Sequence, residues 1–302
     1  MQYSNIIFDL YGTLVDIRTN EDKPSLWKRL ALFYGYYGAH YEPEELHQAY
    51  QTTVSRLESE LSTSDCATLT SIRTTHTDGT PPQATLAGST PSQAALTGNA
   101  SSQAVHADDM HEVFSHRIVH TDDIHEAHPE IQIEHVFSAL YAAKGILADD
   151  ALVLHTGQFF RVLSTERLRL YPHAAELLAA LRDAGAHVYL LSNAQRIFTE
   201  YEMHLLGIAE YFDDIFISSD CGTKKPDARF FHLLLDKYRI DPAQAIMIGN
   251  DGTSDIAGAK AVGLHTLYIH SAISPKEEMP DADYLLKKMD LQRVERILMN
   301  NH

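Results

Sequence analysis

The sequence predicts an α/β protein, a doubly wound parallel-sheet core interrupted by an inserted α-helical domain, on three observations. Short apolar runs recur near residues 8, 190, 216, 248 and 267, each ending in a polar or glycine-rich turn. Continuous runs of that length are the mark of strands buried on both faces. Between the later runs, PHAAELLAALRDAG, KPDARFFHLLLDKY and SDIAGAKAVG space their apolar residues as helices do and often close on glycine. Roughly 150 residues lie between the first strand and the rest of the core, far too many for a loop.

In chain order, NIIFDLYGTL supplies the first strand, and the long insertion then holds helical spacing over 25–38, 44–61, 133–144 and 151–163. Four helices make a small domain of their own. Within it, 62–108 is rich in Ser, Thr, Ala, Gly, Pro and Gln and poor in aromatics, so it is expected to be disordered, lacking the apolar area that offsets ordering entropy. The expected division is a core of 1–18 with 165–302, and a helical domain of 19–164 that carries the 62–108 insert. HVYLLSNAQ, DDIFISSD, AIMIGND and LHTLYIH complete the sheet.

Composition narrows the function classes. At 302 residues, 44% apolar and 22% charged, the chain reads as an ordinary globular protein. A net charge of -17 argues against a nucleic-acid partner, which needs clustered Lys and Arg against phosphates. It leaves room for a small phosphorylated metabolite, which needs only a local positive site. Cys66 and Cys221 give no disulfide framework. No stretch reaches the roughly 18 apolar residues of a membrane span, and no basic flank precedes the first apolar run, so the expected location is cytoplasmic. Whether the chain is a monomer or a homodimer stays open. Seven histidines between His106 and His135 are irregularly spaced, without cysteine, and read as part of a solvated acidic stretch.

The chemistry is concentrated at strand ends, where open α/β sheets bind ligands. Asp9 ends the first strand and is followed by Tyr11, Gly12 and Thr13, a turn that aims a carboxylate into the crevice with backbone N–H groups facing an anion. Ser192 and Asn193 end the next strand with a hydroxyl and an amide suited to phosphoryl oxygens. Lys225 precedes a helix and brings an ammonium; Asn250, Asp251 and Asp255 follow a later strand and offer oxygen ligands for a hard cation such as Mg²⁺. Each alone has a structural reading as a turn residue, surface charge or helix cap.

Taken in order from Phe8 through Gly263, these segments resemble the four motifs of the haloacid dehalogenase superfamily. The resemblance implies a Rossmann-like core, and the insertion looks like that family's helical cap of the first class. It further implies that Asp9 is the nucleophile, that Ser192 and Lys225 stabilise the transferring group, and that Asp251 joins Asp9 and the Tyr11 backbone carbonyl in holding Mg²⁺, with Asp255 as a second acid. Phosphatases of the superfamily usually carry a second Asp two residues after the nucleophile, where this chain has Tyr11. A phenol is a poorer proton donor and base near neutral pH than a tuned carboxyl, and Tyr there resembles the dehalogenases, whose halide leaving group needs no proton. Arg29 and Arg56 are the candidates for a halide-binding arginine.

Phosphohydrolysis of a small metabolite is therefore the expected activity, with metal-independent dehalogenation and a non-catalytic binding module as alternatives. Excision of 62–108 is expected to shift the melting temperature little, because loop length enters stability only logarithmically; a large fall in a thermal melt would reveal a folded element there.

Overall fold

A computed structural model describes residues 2–71, 128–275 and 279–299. The first apolar run forms β1 (Asn5–Phe8), with Ile6, Ile7 and Phe8 fully buried. The insertion follows as β2 (Val15–Thr19), α1 (Pro24–Tyr36), α2 (Pro43–Ser71), α3 (Ile133–Ala142), α4 (Asp150–Ser164) and β3 (Thr165–Leu170). The chain continues through α5 (Ala174–Asp183), β4 (His187–Ser192), α6 (Arg196–Leu205), β5 (Asp214–Ile217), α7 (Ser218–Cys221) and α8 (Ala228–Tyr238). It closes with β6 (Ala245–Gly249), a π turn over Gly252–Ala257 leading into α9 (Gly258–Ala261), then β7 (His265–Ile269), β8 (Tyr284–Leu286) and α10 (Leu291–Met299).

All six core strands are parallel, in the order β5-β4-β1-β6-β7-β8. The order reverses at β1, with β4 on one side and β6 on the other, so the crevice beyond its carboxyl end is the topological switch point of the sheet. Alternation of side chains distributes the core between two faces. Ile6, Phe8, Leu190 and Ile248 pack with Leu177, Leu178 and Leu181 of α5 and Val294 of α10, while Ile7, Leu191 and Met247 face Phe230, Phe231 and Leu234 of α8. β2 and β3 pair antiparallel as a two-stranded ribbon, through which the chain leaves and re-enters the core.

The four helices between them form a cap with its own apolar centre: Trp27, Leu30 and Tyr34 from α1, Leu46 and Tyr50 from α2, Phe137 and Tyr141 from α3, and Phe160 from α4. Helix starts follow local rules, with Pro24 at the first position of α1 and the Asp149 carboxylate accepting the Leu152 N–H at 2.8 Å ahead of α4. α2 departs from expectation, since it runs to Ser71 and so takes in the first ten residues of the segment expected to be disordered. Once nucleated, a helix extends at little cost even through a weakly apolar stretch. The rest of that segment, and most of the histidine run, lie outside the described residues. No helix among the described residues is long and apolar enough to cross a membrane.

Cap and core belong to one compact unit. They meet where α4 crosses α6, and Ile197 of α6 is counted among the cap's own apolar centre. Gly157 permits the approach: a Cβ there would stand 2.5 Å from Ile197 Cδ1 and 3.0 Å from Phe137 Cε2. Gly157→Leu should therefore destabilise the protein by at least about 1–3 kcal/mol through overpacking; an unchanged urea midpoint would show that the helices separate freely.

Candidate active site

At the switch point Asp9 stands one residue past β1, only 7% exposed. Its Oδ1 accepts the Lys225 ammonium at 2.9 Å and the Ser192 hydroxyl at 3.3 Å, while Oδ2 lies 3.4 Å from the Thr13 hydroxyl. Lys225 reaches across from the loop before α8 and spends all three of its N–H bonds: on Asp9, on Asp255 Oδ1 at 2.7 Å and on the Leu191 carbonyl at 2.7 Å. Burial opposes its charge, but Asp255 and Asp9 outweigh that and raise its pKa. The lysine is fixed as a cation.

Asp255 is engaged on both oxygens in turn. Its Oδ2 accepts the backbone N–H groups of Asn250 at 3.0 Å and Asp251 at 2.9 Å. Burial pushes its carboxyl up to about 6 against the pull of Lys225, with the Asp9 charge adding to the rise. These bonds make Asp255 a support for Lys225 and for the turn after β6. Gly249 makes room for it, because a Cβ there would stand 2.4 Å from the Asp255 Cβ.

Asp251 uses one oxygen locally. Its Oδ1 caps the π turn, accepting the N–H groups of Thr253 at 2.9 Å and Ser254 at 2.7 Å. The neighbour Asn250 is the residue turned to the nucleophile loop, with Oδ1 at 3.1 Å from the Thr13 hydroxyl and its carbonyl held by Ser274 Oγ at 2.7 Å. Gly12 adopts a φ of 87°, and a Cβ on it would fall 2.6 Å from the Asn250 amide; the site needs glycine here for both reasons. Asn193 works at one remove, because its Nδ2 donates to the Lys225 carbonyl at 2.9 Å and its Oδ1 accepts the Lys225 N–H at 2.8 Å. It stitches the β4 loop to the lysine loop.

The side-chain oxygens placed together at the end of β1 are the Asp9 carboxylate and the Asn250 amide oxygen, both near the Thr13 hydroxyl. That oxygen set fits a hard cation that keeps most of its waters, as Mg²⁺ does. Among the described residues no cluster of three or more His, Cys, Asp or Glu could hold a metal alone. A cavity of about 510 Å³ opens beside the β4 loop, lined by Glu21, Tyr50, Glu58, Glu130, Ile133 and Gln195.

Several residues escaped the sequence reading. Arg161 and Glu202 form a buried ion pair from α4 to α6 at 2.5 Å, and the Tyr11 hydroxyl donates to Glu202 at 2.6 Å. Burial and the Glu202 charge raise the pKa of that phenol, keeping it protonated. Arg29 and Arg56, the two cap arginines open to a halide-binding role under the dehalogenase alternative, are exposed, and Arg56 pairs with Glu60. Residues 128–133 clip the cap to the site loops: Lys224 donates its N–H to the His128 carbonyl at 2.9 Å, and Gln195 Oε1 accepts the Ile133 N–H at 2.9 Å. No local pattern announces such long-range pairs.

Lys225→Met should destabilise the protein by about 3–5 kcal/mol, the usual penalty for stranding buried carboxylates. Adding Asp255→Asn should recover part of the loss in urea denaturation, and a single variant as stable as wild type would mean that the carboxylates find other partners.

Comparison with known proteins finds phosphatases among the relatives of this chain. A phosphoserine phosphatase of Thermus thermophilus is 31% identical over 136 residues, 45% of this chain and 53% of that protein. A ribulose-1,5-bisphosphate 5-phosphatase of Halopiger xanaduensis is 33% identical over 129 residues, 43% of this chain and 52% of that protein. The chain thus spans about half the length of these curated relatives. A crystal structure of a HAD phosphatase from Thermococcus onnurineus covers 98% of both chains at 15% identity with a TM-score of 0.50, a likeness of fold. The family model for haloacid dehalogenase-like hydrolase matches residues 3–263, and with the crevice at the end of β1 this chain belongs to that family.

Proposed function

We infer that the protein is a Mg²⁺-dependent phosphohydrolase acting on a small phosphorylated metabolite through an aspartyl-phosphate on Asp9. The observation that carries this reading is the held carboxylate: Asp9 is buried at the switch point, with Oδ1 fixed by Lys225 and Ser192 and Oδ2 left with the longer Thr13 contact. The phosphatases among its relatives support phosphate esters as the substrate class.

In this mechanism an Asp9 oxygen attacks phosphorus, the bond to the leaving oxygen breaks, and water later cleaves the acyl phosphate. The first step brings like charges together, worth roughly 4 kcal/mol at 4 Å even with an effective dielectric of 20. The Lys225 ammonium offsets part of it through its charge, held 2.9 Å from Asp9 Oδ1. A bound Mg²⁺, held by Asp9, the Tyr11 carbonyl and Asn250 or Asp251, would neutralise the remaining charge.

Tyr11 limits the substrate. Its one phenolic proton is committed to Glu202, so no group two residues past the nucleophile protonates a leaving alkoxide. Acyl phosphates, phosphoanhydrides and aryl phosphates are expected to outrun simple sugar phosphates, because acid catalysis is worth about 10²–10⁴-fold. The same Tyr11, with a neutral Asn250 where the crevice could hold a second carboxylate, favours carbon–halogen hydrolysis as the second reading.

Asp9→Asn is expected to lower kcat on an aryl phosphate by orders of magnitude with the fold intact by circular dichroism, and EDTA should abolish wild-type turnover until Mg²⁺ is restored. Chloride release from a 2-haloacid without metal would instead select the second reading, and silence in both assays a binding module. Equal kcat/KM on aryl and alkyl phosphates, with chemistry rate-limiting, would refute the leaving-group argument.

A further inference from the structure

Tyr11 belongs to the nucleophile loop, yet its hydroxyl is engaged outside the crevice, in the seam between cap and core. It donates to Glu202 Oε2 at 2.6 Å and lies 3.1 Å from the Thr199 hydroxyl, both on α6. Glu202 is 5% exposed, and both of its oxygens also accept from Arg161 of α4, Nε at 2.5 Å and Nη2 at 3.1 Å. The guanidinium covers the rings of Tyr11 and Phe198, at 5.6 and 5.1 Å from their centroids. A buried carboxylate requires such a partner, and the partner here comes from the cap.

The loop itself is closed on short bonds: Gly12 N–H to the Val15 carbonyl at 2.8 Å, and the Leu14 and Val15 N–H groups to the Leu10 carbonyl at 2.9 and 3.0 Å. A turn this tight moves as a unit, so a displacement of Tyr11 reaches Asp9 and Thr13. Resting on Asp9 as nucleophile, we propose that Tyr11 and Glu202 are positioning residues: Arg161 of the docked cap holds Glu202, Glu202 holds the Tyr11 hydroxyl, and the cap thereby sets the orientation of the nucleophile loop. Tyr11 transfers no proton, because losing it would leave a phenolate against the Glu202 carboxylate in a buried seam.

The test compares Tyr11→Phe, the paired replacement of Arg161→Met with Glu202→Leu, and all three together, in the full chain with saturating Mg²⁺. Removing both charges at once avoids a stranded ion, and such paired replacement is commonly tolerated; if it fails to fold, Arg161→Lys, which keeps the charge and loses the two-pronged geometry, takes its place. kcat and KM are read on p-nitrophenyl phosphate and on glycerol 2-phosphate. The expected result is a fall in kcat of about tenfold or more from misorientation, equal on both substrates, with KM within about threefold and the combined variant no slower than the slower parent. Losses that multiply, a KM that rises at constant kcat, or a greater loss on the alkyl phosphate would each overturn the proposal, the last by making Tyr11 a proton donor. Amide exchange over 9–15 separates the proposal from the reaction assigned above. If wild type turns over neither ester, that assignment fails, whereas faster exchange in the paired variant still supports the coupling and unchanged exchange overturns it.

Discussion

The active site depends on one buried ammonium. Lys225 stands between Asp9 and Asp255 with every N–H used, and through them it joins the ends of β1, β4 and β6. Two carboxylates that close would repel each other strongly in a low-dielectric interior without it. The sheet order makes the arrangement possible, because β1 lies between β4 and β6 and all three point their carboxyl ends the same way. The balance of one cation against two acids leaves the crevice negative. That is the electrostatic reason the proposed reaction calls for a further cation.

Much of the surrounding sequence serves that arrangement at one remove. Asn193 ties the lysine loop to β4, Ser274 holds the Asn250 carbonyl, and Gly249 and Gly12 give the space that Asp255 and Asn250 fill. Asp227 caps α8 and also accepts the His128 N–H at 3.2 Å, so the start of the helix after Lys225 is fixed both within the core and by the returning cap chain. Burial opposes its charge, but hydrogen bonds from Arg229 outweigh that and hold its carboxyl below the usual range. Residues of this kind keep a site within the small tolerances that catalysis requires.

The cap is pinned to the core on two sides, by the 128–133 clip and by the α4–α6 seam with its Arg161–Glu202 pair. A buried pair of this type is weak evidence for stability and better evidence for specificity of docking, since only one geometry satisfies both partners. The Tyr11 hydroxyl joins that docking to the loop that follows Asp9.

The sheet, the inserted helices and the strand-end motifs were legible in the sequence because burial imposes periodicity and turns impose residue types, and both are local. Asp9, Ser192 and Lys225 were found for that reason. The partners of each polar atom were not legible. The cap that Asp251 makes on the π turn and the bond between Asp255 and Lys225 could not be read from their spacing. Arg161 and Glu202 are 41 residues apart, in different layers, with nothing in their spacing to connect them. Hydrogen bonds between distant side chains leave no period in the sequence; the packing of α4 on α6 and of β1 between its neighbours decided them.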